Sequence, residues 1–185
     1  MRIIAGIYGR RKLNVPQNNA IRPTSDKIRG AIFNALESLG AIEDAHVLDA
    51  FCGTAALGLE ALSRGGAHCT FVDKAKTSLE LARNNINMLG ACTESDLRHG
   101  DASKLNFKGK KFDLILLDPP YHKGLIELTL KNLLQQSAIS PTAHIMCESE
   151  TGLSMVHGRS FETHSHKSYG DTQVSILTYN ASTPE

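Results

Sequence analysis

The sequence contains no apolar run approaching the roughly 20 residues that a membrane-spanning helix needs, which excludes a helical membrane protein. Residues 1–15 carry Arg2, Arg10, Arg11 and Lys12 but no continuous apolar core and no cleavage pattern, so they do not read as an export signal. Cysteine is scarce. Cys52, Cys69, Cys92 and Cys147 are widely spaced, with no C-x-x-C pair and no zinc-ligand spacing. They read as buried free thiols of a protein in a reducing cytoplasm. No cation stands near Cys52 to make it a nucleophile. His157, His164 and His166 lack metal-ligand companions, so no metal is expected. His122 has no carboxylate placed by spacing and reads as a loop residue. Repeats and low-complexity stretches are absent, and 185 residues make one ordinary domain with a full core.

Acidic residues are missing where basic ones gather. The net charge is +1, yet residues 1–30 hold Arg2, Arg10, Arg11, Lys12, Arg22, Lys27 and Arg29 against Asp26 alone. A basic segment on a near-neutral body is an electrostatic footprint for a polyanion, with nucleic acid the first candidate.

Residues 1–23 read as a basic β extension, with short strands at Arg2–Gly6 and Arg11–Val15 around Tyr8-Gly9, followed by a polar loop from Pro16 to Pro23. Residues 24–185 read as a helix and a core. Thr24 or Ser25 caps a helix with Ile28, Ile32, Ala35, Leu36 and Leu39 inward, and Lys27 and Arg29 on other faces. From His46 strands and helices alternate. The predicted strands are Val47–Phe51, Thr70–Val72, Asp96–His99, Phe112–Leu117 and His144–Glu148. The predicted helices are Thr54–Arg64, Ala75–Leu89 and about Leu125–Gln136. Two last strands, near Phe161–His166 and Gln173–Tyr179, have no helix between them and read as an antiparallel pair at the sheet edge. The fold class is α/β, a mostly parallel Rossmann-like sheet.

Two motifs carry chemistry. Asp118-Pro119-Pro120-Tyr121 ends the apolar run Phe112–Leu117. It sets a carboxylate, a carbonyl on rigid backbone and an aromatic ring at a strand's C-terminal end, where open α/β sheets bind ligands. A base can stack on Tyr121 while Asp118 and the Pro119 carbonyl accept from its exocyclic amine. The second motif, Asp49–Gly58, is a strand, a tight turn at Gly53 and a helix start. Ala55 breaks the full dinucleotide fingerprint, which disfavours a nicotinamide dehydrogenase. No Lys or Arg lies near the turn, so it suits a cationic ligand better than a phosphate. Asp73, 20 residues beyond Gly53, can accept ribose hydroxyls, and Asp101 an adenine amine. Asp49, Gly53, Asp73, Asp101 and Asp118 each fall at a predicted strand end, along one edge of the sheet.

Arg22-Pro23-Thr24, Arg29, Phe33-Asn34, Leu57–Gly65, Gly100-Asp101-Ala102, Asp118–Tyr121 and Tyr169-Gly170-Asp171-Thr172 together resemble the bacterial 16S ribosomal RNA guanine-N2 methyltransferases, the small-subunit methyltransferase D family. The resemblance spans nearly the whole chain. It implies a seven-stranded Rossmann-like sheet and S-adenosylmethionine as donor. Asp49, Phe51, Gly53, Thr54, Asp73, Lys74, Asp101 and Ala102 would line the donor pocket. Asp118, Pro119, Pro120 and Tyr121 would hold the target base. Arg2, Arg10, Arg11, Lys12, Arg22, Lys27 and Arg29 would contact RNA backbone. The implied substrate is one guanine of 16S RNA, at position 966, on a small ribosomal subunit or its assembly intermediate. Two residues depart from the family pattern. Ala55 stands where glycine is usual, putting a methyl at a close-approach position. Gly30 replaces a glutamate in the first helix and leaves the orientation of Arg29 in question.

Rival readings are an adenine-N6 or glutamine-amide methyltransferase and a non-catalytic RNA-binding relative. The intact Asp118–Tyr121 element speaks against the last. The lack of an obvious exposed apolar stripe favours a monomer.

Overall fold

A computed structural model describes residues 1–16, 25–121, 123–152 and 160–182. Arg22, Pro23, Thr24, His122 and His157 therefore lie outside the described residues. Seven strands form one sheet: β1 (His46–Asp49), β2 (His68–Asp73), β3 (Ser95–His99), β4 (Phe112–Leu117), β5 (Ile139–Glu150), β6 (Phe161–Tyr169) and β7 (Thr172–Tyr179). Their order is β3-β2-β1-β4-β5-β7-β6. The β1–β5 pairings are parallel, and β7 runs antiparallel between β5 and β6. The antiparallel edge pair and the mostly parallel sheet are as the sequence implies.

The pleat sorts the apolar residues onto two faces. Leu114 and Leu116 of β4 join the core that packs α1 (Asp26–Ser38), α2 (Ala56–Ser63) and α3 (Lys76–Leu89). Ile115 and Leu117 join the opposite core, which packs α4 (Leu125–Gln135). A strand buried on both faces reads as a continuous apolar run, which is why β4 is legible to the residue. Strand order reverses between β1 and β4, so the crevice above their C-terminal ends is the place for a ligand.

Gly58 seats α2 on the sheet. A Cβ there would stand 2.3 Å from the Phe71 ring and 2.6 Å from the Cys69 sulfur. The close helix–strand approach expected of this glycine is observed.

The N-terminal extension is a short antiparallel hairpin. Arg2 and Lys12 form its one bridge, and Ile3 N donates to the Arg11 carbonyl at 3.0 Å, Arg10 N to the Ile3 carbonyl at 2.8 Å and Leu13 N to the Met1 carbonyl at 3.2 Å. From Ile4 onward its backbone turns to α2. Ile4 N and Ala5 N donate to the two carboxylate oxygens of Glu60 at 2.7 and 3.1 Å. Ile7 N donates to the Ser63 carbonyl and Tyr8 N to the Ser63 hydroxyl, at 2.8 and 3.0 Å. Glu60 is fully buried in a helix that is buried on all sides, so it needs partners. Arg64 supplies a charge at 2.8 Å, then reaches Glu37 and Asn34, each at 2.9 Å, and lies over the Phe33 ring. One buried network thus ties the extension, α1 and α2 together.

Ser25 caps α1, accepting from Ile28 N. Arg29 corrects the expectation for this helix, because it is 1% exposed. Arg29, Ile32, Phe33 and Leu36 share the buried stripe, and the guanidinium donates to the Arg2 carbonyl and to Asp26. An arginine at this spacing from Ile32 and Phe33 must go inward with them. It braces the extension and is not exposed, so it does not belong to the basic surface expected of it. Arg2 is exposed and paired with Asp26 at 2.9 Å. Arg10, Arg11, Lys12 and Lys27 are exposed, with Arg11 also donating to the Met88 carbonyl. Gly30 leaves Arg29 held all the same. A Cβ at position 30 would meet only Ile4 Cγ2, at 3.6 Å. Gly30→Ala is therefore expected to stabilise the fold by about 1 kcal/mol. Calorimetry should show a melting temperature about 2–4 °C higher, and a lower one would mean that the helix needs the glycine.

Among the cysteines, Cys52, Cys69 and Cys147 are buried, and burial pushes their thiols well above the ordinary range. Cys92 is exposed, contrary to the expectation of buried thiols, because it sits just past the end of α3. No helix among the described residues is long and apolar enough to cross a membrane.

Candidate active site

The turn after β1 is set by two left-handed residues, Gly53 (φ +50°) and Ala55 (φ +65°). Ala55 N donates back to the Cys52 carbonyl at 2.6 Å. The Ala55 methyl is fully buried in the core under α2. The residue's conformation costs backbone strain of about 1–2 kcal/mol. A buried methyl is worth about 0.8 kcal/mol in return, which offsets much of that strain.

Asp73, at the end of β2, organises the turn. Its Oδ2 accepts from Gly53 N at 3.0 Å and its Oδ1 from Ala75 N at 2.8 Å. Each oxygen keeps a second lone pair for a hydroxyl. Thr54 is held on both sides, its hydroxyl near the Met1 sulfur at 3.3 Å and its carbonyl accepting from Asn85 Nδ2 at 2.9 Å. Asn85, fully buried on α3, also bonds both backbone groups of Asn14, so the extension and the turn share one anchor. Asp101 accepts from Ser103 N and Oγ on Oδ1, at 3.0 and 2.6 Å. The hydroxyl bond, more than any other influence, lowers its pKa and keeps it ionised. Phe51 borders the turn half-buried, and the Lys74 side chain is exposed. Ala102 is buried, and its carbonyl accepts from Asn132, so its side chain and carbonyl belong to the scaffold.

Asp49 lies under the turn, buried, accepting from Gly58 N at 2.9 Å. Burial, opposed by that hydrogen bond and assisted by the Asp73 charge, raises its pKa from 3.8 to about 7. The folded protein thus holds a proton between about pH 4 and 7 that the unfolded chain has released. Stability falls as pH rises through that window and levels off above it. Asp49→Asn keeps an acceptor for Gly58 N–H and cannot ionise. We expect it to flatten the decline and to stabilise the ligand-free protein at pH 8 by on the order of a few kcal/mol. Urea unfolding at pH 5 and pH 8 checks this, and an unchanged slope in the variant would clear Asp49 of the effect.

Asp118, at the end of β4, keeps part of its surface open to the crevice. Protein nonetheless surrounds most of its carboxyl, and this burial first, then the charges of Glu148 and Asp49, holds it well above the usual carboxylate range. The pairing of Leu117 with Cys147, continued one residue, sets Asp118 beside Glu148. The pleat puts both on the same face as Leu116 and Met146. Pro119 is buried and Pro120 exposed. The Tyr121 hydroxyl bonds Thr172 Oγ1 at 2.8 Å and approaches Glu148 Oε1 at 3.5 Å. This fixes the ring against β5 and β7. Burial, above all, raises its pKa. A cavity of about 130 Å³ adjoins this element, lined by Pro119–Tyr121, the start of α4 and Glu148–Glu150.

The fold therefore brings Asp49, Gly53, Thr54, Asp73, Asp101 and Asp118–Tyr121 to one end of the sheet. Arg10, Arg11 and Lys12 lie on the extension, and Arg29 is inside the protein. Sequence reasoning missed Glu148, which follows the apolar run Ile145-Met146-Cys147 much as Asp118 follows β4, and Asn85, an amide in an otherwise apolar stripe. The donor set is acidic: largely buried carboxylates that repel one another until a positive ligand arrives, plus free lone pairs at Asp73 and Asp101 for hydroxyls and an amine. Among the described residues no group of three or more His, Cys, Asp or Glu is placed to hold a metal ion.

Residues 1–178 match the family model described as conserved hypothetical protein 95. Over 150 residues the chain is 37% identical to the ribosomal RNA small subunit methyltransferase D of Escherichia coli strain K12, covering 81% of this chain and 75% of that one. The solved structure described as "Putative methyltransferase yhhF from Escherichia coli" is 34% identical, with a TM-score of 0.87 over 98% of both chains. An RNA methyltransferase from Salinibacter ruber, solved with S-adenosyl-L-homocysteine, shares the fold at 18% identity, with a TM-score of 0.65 over 88% of this chain and 97% of that one.

Proposed function

The chain belongs to the ribosomal RNA small subunit methyltransferase D family, and on that premise we propose that it moves the methyl group of S-adenosylmethionine to the exocyclic N2 of one guanine in 16S RNA. The observation that supports this most is the meeting of Asp49, Asp118 and Glu148, three acidic groups that act on one another, beside the Gly53 turn. Such a site favours a sulfonium and an amino group. Asp73 would hold the ribose hydroxyls through its spare lone pairs and Asp101 the adenine amine through Oδ2. The donor supplies an electrophilic carbon on positive sulfur.

The chain's residues then have three tasks. Tyr121, pinned by Thr172, presents its ring for the unstacked base. Asp118 and the Pro119 carbonyl accept the two N–H bonds of the amine. That draws the nitrogen toward a pyramidal shape and aims its lone pair, with the reacting atoms about 3 to 3.5 Å apart. Asp118 takes the proton released as the new N–C bond forms, and its raised pKa suits an acceptor. Arg10, Arg11, Lys12 and Lys27 form the exposed basic face for the phosphate backbone.

The test is transfer from labelled donor to small subunits that lack the modification, to naked 16S RNA and to DNA, followed by digestion to nucleosides. N2-methylguanosine from the small-subunit RNA is the expected product. N6-methyladenosine would replace this reading with the adenine one.

A further inference from the structure

Asn85 is fully buried, an amide in the stripe of α3 that Leu79, Ala82, Ile86 and Leu89 make apolar. Its three polar contacts leave the helix for two segments distant in sequence. Oδ1 accepts from Asn14 N at 2.8 Å. Nδ2 donates to the Asn14 carbonyl at 3.0 Å and to the Thr54 carbonyl at 2.9 Å. Asn14 belongs to the basic extension and Thr54 to the turn after β1. Nearly one turn further along α3, the Arg11 guanidinium donates to the Met88 carbonyl at 2.5 Å, so the extension meets this helix at two points.

The amide serves all three groups in one orientation only. Turned over, it would set a hydrogen against Asn14 N–H and lone pairs against both carbonyls. An extension docked at Asn14 therefore fixes the orientation that holds Thr54. With the extension displaced, the amide loses two of its three bonds and is free to release the third. The bond to Thr54 matters because the residues on either side of it, Gly53 and Ala55, are both left-handed, at φ +50° and +65°. For an alanine that conformation is uphill and persists where surrounding contacts over-determine it. The turn thus has a braced arrangement and a relaxed one, and the docked extension favours the first.

We propose that Asn85 is a positioning residue that couples the two substrates: RNA docked on the extension tightens the hold on the methyl donor, and the donor tightens the hold on RNA. The proposal rests on the reading above, in which the extension meets RNA and the Gly53 turn meets the donor. The two effects are equal in size, because a coupling between binding sites is reciprocal. Asn85 touches neither substrate and acts through Thr54 on one side and Asn14 on the other.

The experiment titrates S-adenosyl-L-homocysteine, which cannot react, into the protein with and without saturating small subunits that lack the modification. In the wild type the particles should lower its Kd by about 5- to 50-fold, within the range usual for coupled sites. In Asn85→Ala that ratio should fall to about one, whatever happens to either affinity alone. A residue that only supported the fold would weaken both bindings and leave the ratio standing. Hydrogen exchange on the wild type reads the same link without a variant. S-adenosyl-L-homocysteine alone should slow exchange of the Asn14 amide severalfold, because a braced turn holds the orientation that binds it. A wild-type ratio of one, a ratio retained in Asn85→Ala, or an Asn14 amide indifferent to the thioether would each overturn the coupling, even in a protein that methylates guanine. Failure of the wild type to transfer methyl groups to small subunits or RNA would remove the reading beneath it.

Discussion

Asp118→Ala should lower kcat by about 10³-fold, within the range attributed to a lost proton acceptor and lost positioning, while the donor's Kd shifts by less than about tenfold. The reason for the split lies in the site's layout. On the proposed reading Asp73, Asp101 and the Gly53 turn would hold the cofactor side without Asp118, whereas Asp118 and the Pro119 carbonyl would hold the amine. A second readout separates a lost catalyst from a damaged fold. The fold opposes ionisation of Asp118, through burial and the Glu148 and Asp49 charges. Removing the carboxyl should therefore leave the melting temperature at pH 8 unchanged or higher, a dead but sturdier protein. Single-turnover rates with saturating donor, calorimetric titration of the donor and a thermal scan cover the three quantities. A variant with wild-type turnover would take Asp118 out of the chemistry.

The second large effect is expected at Glu60, far from the reacting atoms. Its carboxylate accepts two backbone N–H groups of the extension and pairs with Arg64, all without solvent. Glu60→Ala leaves an arginine buried with reduced compensation and two amides unmatched, a class of change that costs about 3–5 kcal/mol. Glu60→Gln keeps the shape and one acceptor, so it should fold. With the extension loosened, Arg10, Arg11 and Lys12 lose their fixed position. The KM for small subunits should then rise by about tenfold with kcat little altered, and the salt dependence of binding should become shallower. An unchanged KM in a folded Glu60→Gln protein would show that the extension does not present these cations to RNA.

Such residues explain where the sequence is readable and where it is not. β4 and its Asp-Pro-Pro-Tyr stop are local features, an apolar run and two prolines, and the structure reproduces them. So are the strand-end carboxylates, because a parallel sheet sends every C-terminal end to one rim. Arg29 and Glu60 are harder to read, because a charge ordinarily signals exposure. Their positions say otherwise. Arg29 lies three and four residues before Ile32 and Phe33, and Glu60 sits within Leu57–Leu62, where every other side chain is apolar or absent. Each is buried because a partner distant in sequence satisfies it, the Arg2 carbonyl in one case and the amides of Ile4 and Ala5 in the other. The expected hairpin forms but stays short for the same reason seen from the other side, since those amides bond a side chain rather than the facing segment. The pairing of Asp118 with Glu148 depends on the β4–β5 register, which no single strand carries.

The crowding of Asp49, Asp118 and Glu148 also bears on how a turnover ends. In the proposed reaction, a pocket that gathers negative groups would grip its guest partly through the guest's positive sulfur. Once the methyl has departed, that sulfur is neutral and the mutual repulsion of the carboxylates returns. The spent thioether then sits in a cavity that no longer attracts it as strongly, so product departure is favoured by the same electrostatics that recruited the reagent.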